Sequence, residues 1–446
     1  MSRLMRFRVL GGGNGCSLLS ASPLPDLVAA GYTDTEYAAS GTADSVVGET
    51  GAPAAGFTTR IVVRRPADAA AFSGCVVVEW LNVSSGADAA PEYSYVAAEL
   101  VRAGHAWVGV SAQYVGVEGG AGSVGVDTGA PQSLATKDPE RYAGLRHPGD
   151  AYCYDIFSSV GRAVRETAAG GHPLEDLPVS TVLAVGESQS AMALTTYVNI
   201  IGPDAAPFDG YLIHSRAAAG LPAGAVGSGV DVATVFDCEP TTIRTDLDAP
   251  VFVVQTETDV LTNFRYHAVR QPDSDRLRVW EMAGTAHADL HQVGDFEEFL
   301  GCPDPVNRGQ QRFVLRSALR HLRSWAEGGD PPPVAEPLAL RDAGGIDPVF
   351  ELDDMGNVRG GVRTPCVDAP TQVLSGIVAD PVSRICLLFG TTSPVPAADL
   401  VARYGTRDEY EKHYRNAADA AIAGGFVLTE DRDELLADAH PELIPD

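Results

Sequence analysis

The sequence predicts an α/β fold: a doubly wound, mainly parallel sheet with helices on both faces. Three observations point there. Short apolar runs rich in β-branched residues recur through the middle of the chain without polar alternation, so each strand is expected to be covered on both faces. Helical stretches separate them, as right-handed crossovers between parallel strands require. The 446 residues are 45 % apolar and 20 % charged, a balance that supports a large buried core.

The elements follow in order. Val76 to Leu81 is a short β-rich run, and residues 91–103 then read as an amphipathic helix ended by Gly104. Ala106 to Val110 is the next strand. A helix is expected at 150–168, with Ile156, Val160 and Val164 at four-residue spacing. A strand at Thr181 to Val185 runs into a helix from about Ser190. Tyr211 to Ile213, Val251 to Val254 and Leu277 to Met282 are further strands. Val314, Ala318, Leu322 and Trp325 form the stripe of a last helix, stopped by Gly328-Gly329 and Pro331 to Pro333. Residues 1–333 are therefore expected to form the α/β domain. Two long excursions, at about 114–148 and 215–248, read as lid-like insertions. Residues 334–446 read as a C-terminal extension packed on that body, with helices near 407–424 and 430–438.

Composition narrows the partners. The formal net charge is −27, and Lys137 and Lys412 are the only lysines. That balance argues against nucleic acid, which needs basic patches, and against anionic membranes. Seven scattered cysteines without a CxxC pair predict neither a disulfide framework nor a zinc site. Gly11 to Gly15 interrupt the N-terminus, so no signal peptide is expected, and no run reaches the length of a membrane span. A cytoplasmic protein without cofactor or metal is the expectation. Oligomeric state is not legible.

The string Val182-Leu183-Ala184-Val185-Gly186-Glu187-Ser188-Gln189-Ser190-Ala191 is an apolar strand, a small-residue turn and a helix start. This is the setting of a nucleophile elbow, as in the α/β-hydrolase fold. Small residues two positions either side of the serine let strand and helix approach; Gly186 satisfies one, and Ser190 stands where a second glycine is usual. A serine hydroxyl needs a base. The strand at 250–254 runs into Gln255-Thr256-Glu257-Thr258-Asp259, and that at 277–282 into Ala283-Gly284-Thr285-Ala286-His287. Nucleophile, acid and histidine thus come in the order such enzymes use, each after a strand. Asp259 is the expected acid. Glu257 is the alternative, because alternation along an extended segment would put both on one side.

An oxyanion hole needs two N–H donors. Gln189 is expected to give one, and Asn82 or Val83, in the loop after the strand at 76–81, the other. His214 ends a strand near the same sheet edge and either lines the pocket or serves the core. His105 and His321 read as structural. His291, four residues after His287 with Asp289 between, would suit a metal only with a third ligand cluster, which the sequence lacks.

The chain resembles a bacterial family described as "alpha/beta hydrolase domain-containing protein", almost end to end. The resemblance runs through Asp26 to Tyr32 with Glu36-Tyr37, Val78 to Ser84, Gly186 to Ser190 and Gln255 to Asp259. It continues through Gly360 to Pro365, Leu388 to Thr392 and Gly425 to Leu428. It implies an α/β-hydrolase fold, a serine nucleophile and an extension that belongs to the hydrolase unit. Arg216 and Arg363 fall in strings that look typical of that family; they either bind an anionic group of the substrate or make structural ion pairs. The expectation is hydrolysis of a small-molecule carboxylic ester through an acyl-enzyme. The same triad would serve an acyltransferase, lactonase or thioesterase. A non-catalytic binding protein and a metal hydrolase using His287 and His291 are the readings of other classes.

Overall fold

The structure is a computed structural model and describes residues 5–20, 25–46, 51–123, 132–167, 171–201, 206–342, 345, 348–379 and 383–445. The chain divides into two compact units. Met1–Val251 with Leu322–Gly329 make the first, Phe252–His321 with Asp330–Asp446 the second.

The strands of the first unit are β1 (Arg6–Val9), β2 (Tyr32–Ala43), β3 (Ala55–Pro66), β4 (Cys75–Trp80), β5 (Ala106–Val110), β6 (Thr181–Glu187) and β7 (Gly210–His214). They stand in the order β1-β2-β3-β5-β4-β6-β7. The pairs β5/β4, β4/β6 and β6/β7 are parallel, as expected, and β4 to β7 are buried throughout. Antiparallel β1, β2 and β3 extend the sheet beyond β5. The sequence reading missed β2 and β3, although each has twelve residues. Each carries charged residues among its apolar ones, and the structure explains how those charges are tolerated. Arg60 on β3 is fully buried between Glu36 on β2 and Asp88, with its Nη1 3.2 Å from Glu36 and its Nη2 on Asp88. Arg64 lies 4.3 Å over the Tyr93 ring.

Helices Pro91–Arg102, Cys153–Ala163 and Gln189–Ile200 follow strands of this sheet. Phe157 joins the last two through Tyr197, with ring centroids 5.7 Å apart, and packs on Trp80 of β4 at 4.8 Å. The chain returns to this unit at 322–329, where Glu327 accepts a 3.0 Å hydrogen bond from Thr181 on β6.

The second unit contains β8 (Val251–Thr256) from Phe252 onward, beside β9 (Leu277–Met282), and the helix Gln311–Ala326 starts in it. Residues 334–446 share its core. Val362 exchanges backbone bonds with Glu281 and Ala283 (2.7 and 3.0 Å), and Ala288 donates to Leu388. The helices Arg407–Ala423 and Arg432–Ala437 lie close to the expected ones. Ala418, Ala421 and Leu435 bury against Phe313, and Arg316 pairs with Asp431 and Glu434.

One cysteine pair departs from the sequence expectation. Cys302 and Cys386 form a disulfide within the second unit, with Cα atoms 5.5 Å apart and a sequence separation of 84. Odd number and wide spacing hid the pair. Cys16, Cys75, Cys153, Cys238 and Cys366 are free. Among the described residues, no helix is long and apolar enough to cross a membrane.

The first insertion carries the short helices Tyr114–Glu118, Leu134–Lys137 and Pro139–Tyr142; residues 124–131 of it lie outside the described ones. The second, 215–248, is irregular apart from a 3-10 turn at Val232–Asp237. Buried Asp150 accepts from Tyr114 N–H (2.6 Å) and Val230 N–H (2.8 Å), one from each insertion.

Candidate functional site

Ser188 stands between β6 and the helix Gln189–Ile200 with φ 61° and ψ −121°, a backbone that a non-glycine residue adopts only under strain. Its N–H donates to His214 O (2.9 Å) at the end of β7, which fixes the turn to the neighbouring strand. A Cβ on Gly186 would fall 2.9 Å from Ser190 Cβ and 3.1 Å from Ser190 C. Glycine at 186 thus admits serine at 190, which explains the departure from the usual pattern. The helix behind Ser188 leaves its first N–H groups, Gln189 among them, without an intrahelical acceptor.

The loop after β4 is knitted to this turn, and the knitting alters the expected oxyanion hole. Asn82 N–H donates to Ala89 O (2.9 Å), and Asn82 Nδ2 to Glu187 O (3.1 Å). Val83 N–H donates to Gln189 Oε1 (3.2 Å). Both backbone donors expected from 82–83 are therefore occupied, because Gln189 and Ala89 supply acceptors closer than any that loop composition suggests. Gln189 Nε2 in turn donates to Gln113 Oε1, which also accepts from Trp80 Nε1 (3.0 Å). Gln113 was not among the residues singled out from sequence; no motif marks it, since its partners lie 33 and 76 residues away.

His214 is fully buried and shares a 2.9 Å hydrogen bond with equally buried Glu92. Arg216 is also buried, and its guanidinium donates to the carbonyls of Ala217, Ala218 and Thr241. Both side chains are thus engaged with protein groups, as the structural alternative for each expects. In the second unit Arg363 pairs with Asp353 (3.0 Å) and Asp368 (2.6 Å) and donates to Val358 O. It ties its own loop together, the ion-pair alternative left open by the sequence.

The second unit also holds Asp259 and His287, the expected acid and base. His287 Nδ1 lies 2.6 Å from Asp259 Oδ1, in a buried pair. Asp259 Oδ2 accepts from Thr256 N–H (2.8 Å) and Thr256 Oγ1 (2.7 Å), so the carboxylate is held at both oxygens. Burial alone would raise its pKa, but His287 and the Thr256 bonds outweigh that and hold it below the usual carboxylate value. Phe264 packs on the imidazole with centroids 4.5 Å apart, and Thr258 Oγ1 accepts from His287 N–H (3.2 Å).

Glu257 is elsewhere. Its oxygens accept from Gly284 N–H (2.6 Å) and Gly376 N–H (2.8 Å), and burial pushes its pKa up to about 7. The alternation argument fails because β8 ends at Thr256 and the helix Glu257–Leu261 begins. Residues two apart on a helix point in nearly opposite directions. The legible signal was Thr256-x-x-Asp259, a capping box that the structure forms.

Asp289 is buried, caps the short helix Leu290–Val293 and accepts from Gln311 Nε2 (2.9 Å). Among the described residues, no group of three or more His, Cys, Asp or Glu could hold a metal ion. His105 bonds Ser73 and His321 bonds Gly425 O, each within its own unit.

A family profile described as alpha/beta hydrolase domain matches residues 8–437. No curated protein matches the chain. Among solved structures, a fungal esterase from Rhizomucor miehei aligns at 13 % identity, over 69 % of this chain and 87 % of that one, with a TM-score of 0.35. An α/β serine hydrolase without lid from Xanthomonas campestris aligns at 16 % identity, over 64 % and 94 %, with a TM-score of 0.33. Likenesses this distant say nothing about substrate.

Proposed function

Because the chain belongs to the alpha/beta hydrolase domain family, we propose that it is a serine hydrolase of carboxylic esters, with Ser188 as nucleophile, His287 as base and Asp259 as the residue that orients the base. The observation that carries this reading is the backbone of Ser188. A serine held at φ 61° at a strand–helix junction costs about 1–3 kcal/mol, which a merely structural turn would avoid with glycine. The Asp259–His287 hydrogen bond supports it independently. A carboxylate on Nδ1 selects the tautomer whose Nε2 can take a proton.

In this mechanism Ser188 Oγ attacks the acyl carbon as His287 Nε2 removes its proton. Collapse of the tetrahedral intermediate expels the alcohol, protonated by His287. Water, deprotonated by the same nitrogen, then releases the acid. Gln189 N–H donates to the oxyanion. Val83 N–H is the second donor once the negatively charged oxygen replaces the neutral Gln189 Oε1, since charge-assisted bonds are roughly twice as strong.

The test is fluorophosphonate labelling of the wild type and Ser188→Ala, with turnover of a p-nitrophenyl ester series. Loss of label and turnover together in the variant is the expected result. A folded wild type that takes no label and cleaves no ester would overturn the reading.

A further inference from the structure

Within the second unit lies a cavity of about 780 Å³. Its walls include Leu261, Phe350, Val373, Leu374, Ile377 and Leu387. Val349 and Leu352, which also line it, are 46 % and 54 % exposed, so part of the apolar wall faces solvent. Among the described lining residues Asp304 carries the only charge, and no Lys, Arg or His is present. The volume is in the range of small-molecule pockets, roughly 300–1,000 Å³. An apolar guest would release water from these walls. An anionic guest would meet no cation there, only the Asp304 carboxylate on a chain of net charge −27.

The cavity also shares a segment with the histidine. Leu261, Thr262 and Asn263 form part of its wall. They lie between Asp259, which bonds His287, and Phe264, whose ring packs on His287. A guest therefore touches the stretch of chain that holds the imidazole.

We propose that this cavity is a binding site for a neutral, apolar chain or ring. The guest is either the apolar part of the ester, an assignment that rests on the serine-hydrolase reading, or a separate neutral molecule. The probe is N-phenyl-1-naphthylamine, an uncharged dye whose fluorescence rises in apolar surroundings. Saturable binding is expected, equal in the wild type and Ser188→Ala. Val373→Trp and Ile377→Trp, which fill the cavity, are expected to weaken binding at least tenfold with circular dichroism unchanged; if one does not fold, the other decides. 1-Decanol is expected to displace the dye at concentrations at least tenfold below decanoate.

Kinetics separates the two sources. A substrate chain makes the tryptophan variants lose kcat/KM on long esters and keep it on acetate. A separate ligand makes decanol alter acetate turnover without competing. Folded tryptophan variants that bind as the wild type does, or decanoate as effective as decanol, would overturn the proposal. Dye binding does not need Ser188, so a failure of the hydrolase reading would show in labelling alone.

Discussion

Glu257 and Asp259 are both fully buried carboxylates two residues apart, and the structure gives them opposite electrostatics. Asp259 is drawn down by His287 and Thr256; for Glu257 burial outweighs the Gly376 and Gly284 N–H groups and the Arg363 charge, and its pKa rises to about 7. Asp259→Asn is expected to lower kcat by about 10³–10⁴, because an amide favours the wrong imidazole tautomer. Glu257→Gln should leave kcat within a few-fold, which ester turnover checks. The same residue predicts a pH effect. In the unfolded chain Glu257 ionises near its ordinary value of 4.5, in the folded chain near 7. Its contribution to stability is intact below the lower value and is lost as pH rises to the upper one, about 3 kcal/mol in all. Urea unfolding of the wild type and Glu257→Gln between pH 4 and 8 should show the variant gaining on the wild type across that window; parallel curves would refute the assignment. Residue types and their order along the chain were readable from sequence. Which carboxylate faces His287 depended on the strand ending one residue before Glu257.

The turn from β6 into its helix shows what an element can reveal in advance. Gly186, Ser188 and Ser190 were legible because sterics restrict a tight strand–helix junction to small residues. Alanine at 186 would bring its Cβ to 2.9 Å from Ser190 Cβ, and backbone, not a flexible tip, lies next nearest. Gly186→Ala is expected to cost about 1–3 kcal/mol in urea unfolding. It should also slow fluorophosphonate labelling, because the helix must shift away from the strand. The partners of Gln189 were not legible, since Gln113 reaches it only after the sheet has formed. β2 and β3 were equally hidden. Apolar patterning cannot announce a strand whose buried Arg60 is neutralised by Glu36 from the next strand and Asp88 from a distant loop.

The parallel strands from 75 onward were readable, because burial on both faces writes itself as unbroken apolar sequence. The division into units was not, since it depends on where segments distant in sequence come together. The Cys302–Cys386 disulfide belongs to this scale too: it closes an 84-residue loop, for which the chain-entropy estimate is about 4.5 kcal/mol. Thiol titration of the denatured, unreduced protein is expected to count five of the seven cysteines, and dithiothreitol to lower the urea midpoint; seven reactive thiols would remove the bond from the account. Such a bond does not persist in a reducing cytoplasm, so that count also bears on the compartment expected from sequence. The return of residues 322–329 to the first unit has a consequence for synthesis. At about 5–20 residues per second, the ribosome adds the stretch from Phe252 to His321 in roughly 4–14 s. Throughout that interval the emerging first unit lacks its closing piece, so its final folding step waits on a part of the gene beyond its own contiguous stretch.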